Sequence, residues 1–117
     1  MSEVDLLRHP IHTGHLLVGA LKRNRDRPLL FLGDTTLTGG ELAERVSQYI
    51  QAFEALGAGT DATVGLLSLN RPEVLMIIAA GQTQGYRRTA LHPLGSLDDH
   101  AYVLADAGAT ALIIDPN

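Results

Sequence analysis

The chain has no cysteine, so disulfides and thiol chemistry are excluded and a reducing cytoplasm is the default setting. It has little positive charge. The formal net charge is −4, which gives no general attraction for nucleic acid, a partner that favours a basic face. Aromatic residues make up 4% of the chain, and none interleaves the short basic run Lys22, Arg23, Arg25. That run therefore reads as a solvated helix end and not as a base-stacking site. No apolar run approaches the roughly 20 residues of a membrane span. The opening Met1–Arg8 is too polar for a secretory signal. Also missing are a glycine-rich dinucleotide fingerprint, a Walker loop and a nucleophile elbow. Only Asp115 of the acidic residues falls at a strand end, where a receiver-type domain needs a cluster. Taken by itself, the chain carries no catalytic constellation.

What is present is enough for one core. With 117 residues and 45% apolar content, the chain is expected to form a single α/β domain over 1–117. Its centre is Thr63–Gln84. Thr63 to Leu69 is nearly all apolar without alternation, as suits a strand buried on both faces. Asn70-Arg71-Pro72-Glu73 stops the strand and starts a helix, because proline is tolerated in a first turn and Glu73 suits the positive end of the dipole. Val74 to Ala80 is apolar nearly all round, so this helix is expected to be buried.

The flanking segments have their own signals. In residues 1–27, His9, His12 and His15 recur at a spacing of three, a pattern that can hold a transition metal on one helix face. Pro10 interrupts that helix and no carboxylate completes a ligand set, which favours a solvated lead over a metal site. From Thr13 a short helix is expected, with Leu16, Leu17, Ala20 and Leu21 on one face. In residues 28–62, two β-prone runs flank Gly33-Asp34, which suits a type II′ hairpin turn. Thr38 and Glu41 form a capping-box signature for an amphipathic helix. Leu42, Val46, Tyr49, Ile50, Phe53 and Leu56 share one face of it, Glu41 and Arg45 are spaced for an ion pair, and Gly57 ends it. Gly39 and Gly40 are expected to loosen its first turn.

In residues 63–117, further strands are read at 87–91 and 111–115, evenly spaced after the first. Ser96 and Asp99 form a second capping box, Leu97, Ala101, Leu104 and Ala105 a helical face, and Gly108 its end. The expected architecture is a three-layer βαβαβ unit on a parallel sheet with right-handed crossovers, preceded by an N-terminal helix and a β-hairpin. In such sheets ligands bind beyond the carboxyl ends of the strands, which here carry Asn70, His92 and Asp115. For Asn70 and His92 a turn or cap role is favoured over a ligand contact, and Asp115 is read as part of a terminal turn. Arg87 and Arg88 are adjacent on a strand, so one points to each face. At least one must lie at an exposed edge, meet a partner or be buried with a counter-charge.

The ordered set of these pieces resembles the adenylate-forming ligases. It comprises the Leu29–Thr38 hairpin, Glu41-Leu42-Ala43, Ala55-Leu56-Gly57-Ala58-Gly59, Leu69-Asn70-Arg71-Pro72-Glu73, Leu91-His92-Pro93-Leu94 and Asp106-Ala107-Gly108-Ala109. The match covers roughly residues 28–115 and is similar to bacterial fatty-acyl-CoA synthetases. The arginine bias, eight against the single Lys22, agrees with a GC-rich bacterial genome. The resemblance implies the partial N-terminal subdomain of a fatty-acid–CoA ligase. It also implies ATP with Mg²⁺ and CoA as cofactors of the parent enzyme, and the remainder of the ligase chain as partner. Fatty acid, ATP and CoA would be the parent's substrates. By position it places His92, Pro93 and Leu94 at the wall of a CoA channel.

The family's Ser/Thr/Gly-rich phosphate loop, aromatic ATP motif, hinge aspartate and catalytic lysine have no counterpart here. The isolated chain is therefore expected to be inactive toward ATP and fatty acid. Pyrophosphate release above a buffer blank would refute that. The alternative is a stand-alone binding or assembly module. An uncovered Leu75–Ala80 helix and open sheet edges would make the isolated chain a homodimer, which light scattering over a concentration series tests.

Overall fold

The computed structural model describes residues 13–116. Helix α1 (Thr13–Arg23) leads into a hairpin of β1 (Pro28–Leu32) and β2 (Thr35–Thr38), followed by helix α2 (Gly39–Ala55). Strand β3 (Thr63–Leu67), helix α3 (Pro72–Gln84), strand β4 (Arg87–Leu91), helix α4 (Leu97–Ala107) and strand β5 (Ala111–Ile114) complete the chain.

The three later strands form one parallel sheet in the order β4-β3-β5. The strand starts fall where the apolar runs begin, and β3 and β5 stop slightly short of the expected Leu69 and Asp115. Val64 and Leu66 of β3 point into a core with Met76, Ile77, Ala79 and Ala80 of α3, Val46 and Phe53 of α2, and Tyr86. Gly65, between them, faces the other way, where a Cβ would meet the Leu104 side chain of α4 at 2.5 Å. The two crossovers thus run in opposite directions along the sheet and on opposite faces. They share one hand, as parallel connections require.

The two layers of helix are unequal. On the α3 face, α1 and α2 pack behind α3, and the Tyr86 hydroxyl donates to the Ile77 carbonyl at 2.9 Å while its ring meets Phe53 edge-on at 5.3 Å. Burial pushes the Tyr86 phenol pKa well up. On the other face, α4 has no buried residue and rests mainly against the edge strand β4. Leu97, Ala101 and Ala105, expected on its inner face, are exposed, while Leu104, half-buried like Val103, meets the sheet at Gly65. Three strands are too narrow a floor to cover a whole helix face.

Several local expectations are corrected by packing. Leu16 is exposed, because α1 meets α3 through Gly14, Leu17 and Leu21. A Cβ on Gly14 would run into the Gln82 carbonyl, so only glycine admits this approach. Leu75 is exposed while Met76 and Ile77 are buried, so α3 is not buried all round. The α2 start is not loose. Its first N–H groups, from Gly39 and Gly40, donate to the carbonyls of Arg27 and Arg25. Both glycines let that loop come close. Glu41 serves the capping box with Thr38 and, among the described residues, makes no ion pair with Arg45. Leu56 is exposed as the C-cap, and Gly57 at φ +78 closes a Schellman turn in which Ala58 N–H reaches the Phe53 carbonyl. Positive φ at Gly33 but not at Asp34 agrees with the type II′ turn. The Ser96–Asp99 capping box is present at the start of α4.

Candidate functional site

The β3–α3 turn stands at the carboxyl edge of the sheet with a cleft on either side. It is shaped by Pro72, which occupies the first helical turn and holds Arg71 in extended conformation. Arg71 makes no side-chain cap, so its guanidinium is free to reach sideways. Its Nη1 donates to Oδ1 of Asp115, just beyond β5, at 2.7 Å. Its Nε lies 3.6 Å from Oε2 of Glu73. The Asp115 side chain is only 6% exposed, and its backbone N–H continues the sheet ladder to the Leu67 carbonyl. Ser68 Oγ donates to the Leu69 carbonyl and stands 3.5 Å from the other Asp115 oxygen.

These groups rim the first cleft, about 310 Å³, whose floor includes Leu66, Val74, Ile77 and Ile113. Tyr49 lines it as well. Burial first, and the Glu73 carboxylate second, raise the Tyr49 phenol above its ordinary pKa. This cleft sits between β3 and β5, where the crossover direction reverses. Doubly wound sheets place their ligands at that switch point. Here Arg71 and Asp115 close across it on one another.

The second cleft, about 380 Å³, lies between β3 and β4. It shares Leu66, Ser68 and Val74 with the first and adds Asn70, Arg88, Leu91, His92 and Pro93. No carboxylate among the described residues lines it. The His92 ring is held by its own turn, with Nδ1 accepting the Leu94 N–H at 3.1 Å. The His92 carbonyl accepts from Gly95 N–H at 2.9 Å, and His100 Nε2 lies 2.8 Å away from it. With Nδ1 accepting, the proton of the neutral ring is assigned to Nε2, which makes the free side of the ring a donor.

Asn70, His92 and Pro93 therefore come together, while Leu94 is 89% exposed and lies outside the cleft lining. Asp115 belongs to the other cleft, tied to Arg71 instead of standing in a plain terminal turn. Arg88 shares a cleft with His92, and Arg87 takes the opposite side of the strand. Both are exposed, which the edge position of β4 permits. Sequence reading missed the Arg71–Asp115 bridge because the partners are far apart in the chain. The one available signal was the extended Arg before Pro72, which disfavours the helical conformation there. Of the three spaced histidines, His9 and His12 lie outside the described residues. No group of three metal-ligating side chains occurs among the described residues. Among them no helix is long and apolar enough to cross a membrane.

Comparison with known proteins agrees with this architecture. Residues 18–117 match the family model described as AMP-binding enzyme. Over 113 residues, 97% of this chain, the sequence is 79% identical to the medium/long-chain-fatty-acid–CoA ligase FadD8 of Mycobacterium tuberculosis. The chain spans 20% of that ligase. Among solved structures, 90% of the chain superposes on 22% of a benzoate CoA ligase from Burkholderia xenovorans, with a TM-score of 0.81 and 19% identity. It also superposes, over 90% of its length, on 28% of the chain in a structure of the NpsA N-terminal subdomain of Klebsiella oxytoca, with a TM-score of 0.83 and 22% identity. These structural matches establish a shared fold. Together with the family match over nearly the whole chain, they identify this α/β unit as a member of the AMP-binding enzyme family.

Proposed function

We propose that this chain is the N-terminal part of an ATP-dependent fatty-acid–CoA ligase. The observation that carries the reading is the 79% identity to a fatty-acid–CoA ligase over nearly the whole chain. In that reaction the carboxylate displaces pyrophosphate from ATP to form an acyl-adenylate. The CoA thiol then displaces AMP to give the thioester. ATP and Mg²⁺ would be held by other parts of the enzyme, since no Gly-rich phosphate loop occurs in these residues. The chain by itself is proposed to be inactive, and the setting to be the lipid metabolism of a bacterial cytoplasm. Residues 1–117 form one unit of the parent, and the rest of the ligase is its partner. Exposed Leu75 on the Leu75–Ala80 stretch of α3 and the open sheet edges at β4 and β5 support self-association of the isolated piece as a homodimer.

This segment's share of the site is the turn His92, Pro93 and Leu94, which forms part of the wall of the CoA channel. The support is its position at the carboxyl edge of the sheet, where this fold class binds ligands. An open reading frame that continues past Asn117 into a phosphate loop is expected, and an immediate stop codon would favour a stand-alone module instead. In the ligase carrying this segment, His92→Ala should raise KM for CoA relative to KM for ATP. An unchanged ratio rejects a binding role for His92.

A further inference from the structure

We propose that Arg88 binds a phosphate group of CoA in the cleft between β3 and β4. This rests on the reading that the His92–Leu94 turn lines the CoA route. Arg71, at the carboxyl edge of the sheet, and Arg88, near the amino end of β4 with its side chain along the second cleft, are in opposite electrostatic situations. Arg71 is engaged by Asp115 at 2.7 Å and by Glu73 at 3.6 Å. Arg88 has no ion pair or hydrogen bond among the described residues. Yet it lies along a cleft of about 380 Å³, within the size range of small-molecule sites.

The rest of that cleft is matched to an anion. Among the described residues its lining has no carboxylate, and its floor is the apolar surface of Leu66, Val74 and Leu91. Its rim offers donors: the guanidinium, the Asn70 amide and the Nε2–H of His92. A planar guanidinium fork matches two phosphate oxygens at once, and its charge strengthens both bonds. The first cleft has the reverse character, since two carboxylates accompany its single arginine. Arg87, one residue earlier, has the same charge and exposure but takes the other face of β4, so it provides the internal control.

The test uses the ligase that carries this segment, with two acyl acceptors. These are CoA and pantetheine, which has the same thiol arm without phosphate. Arg88→Gln is expected to raise KM for CoA about tenfold or more, the effect of losing a charge-assisted contact, with KM for pantetheine unchanged. Arg87→Gln is expected to leave the ratio of the two constants where it was. Dephospho-CoA locates the contact. A rise for CoA alone assigns the 3′-phosphate, and a rise for both assigns the pyrophosphate. If Arg88→Gln leaves the CoA-to-pantetheine ratio unmoved, the proposal is overturned, whether both constants rise together or neither does. His92→Ala tells the two failures apart. If it raises KM for CoA while Arg88→Gln does not, only the Arg88 contact is wrong. If neither variant changes it, the CoA route itself lies elsewhere.

Discussion

Two clefts flank the same turn and share Leu66, Ser68 and Val74, yet they have opposite chemistry. The one between β3 and β5 occupies the switch point of the sheet, where this topology ordinarily receives a ligand. There Arg71 and Asp115 close on each other, and the polar groups serve the structure. The one between β3 and β4 lies off the switch point, but its arginine, amide and imidazole have no acidic partner among the described residues. A topological rule marks where a site is easy to build. Whether the polar groups remain free for a ligand is decided by their neighbours.

The comparison can be broken at its common floor. Leu66 is 4% exposed and lies under both clefts. Leu66→Ala should destabilise the chain by about 3 kcal/mol, from lost transfer energy plus the cavity left behind. Denaturant midpoints measure this. A loss under about 1 kcal/mol would mean that the clefts do not rest on a packed core.

A smaller effect sharpens the contrast between the rims. Asp115→Ala should cost about 2 kcal/mol, because it strands Arg71 beside a nearly buried position. The figure is kept low because the Arg71 side chain is 39% exposed and its charge is partly screened. Arg88→Gln should change stability by no more than about 0.5 kcal/mol, since it breaks no internal contact. Equal costs for the two substitutions would erase the distinction between a structural and a ligand-facing arginine.

The smallest effect lies next to the second cleft, where Ser96 and Asp99 cap α4 after the His92 turn. Hydrogen bonds from the Ser96 side chain and backbone hold the Asp99 carboxyl below its ordinary pKa of 3.8. A folded-state pKa that is lowered favours the folded state above the unfolded pKa. That contribution fades as pH falls through the lowered value. Ser96→Ala should move the Asp99 titration midpoint upward and leave the cap less sensitive to acid. Carboxyl NMR titration of both forms decides it, and an unmoved midpoint would mean the cap is not formed in solution.

The sequence by itself determined the elements and their order. Apolar runs placed strands β3 and β5, of which only β3 is buried, two Ser/Thr caps with acids three residues later fixed the starts of α2 and α4, and glycines fixed their ends. These signals are local: periodicity, capping and turn conformation act within a few residues, so they can be read in one dimension. The tertiary structure alone decided which polar groups meet. Leu56, Leu75 and Leu97 have core-like identities but lie outside the contacts that the packing forms. Gly14 was an unremarked glycine until α3 came against it. Arg71 and Asp115 pair across the sheet because β5 returns beside β3, while Arg88 and His92 share a cleft with Asn70 because β4 lies on the other side of β3. Such pairings depend on strand order, and strand order is set by how the apolar faces of distant segments cover one another.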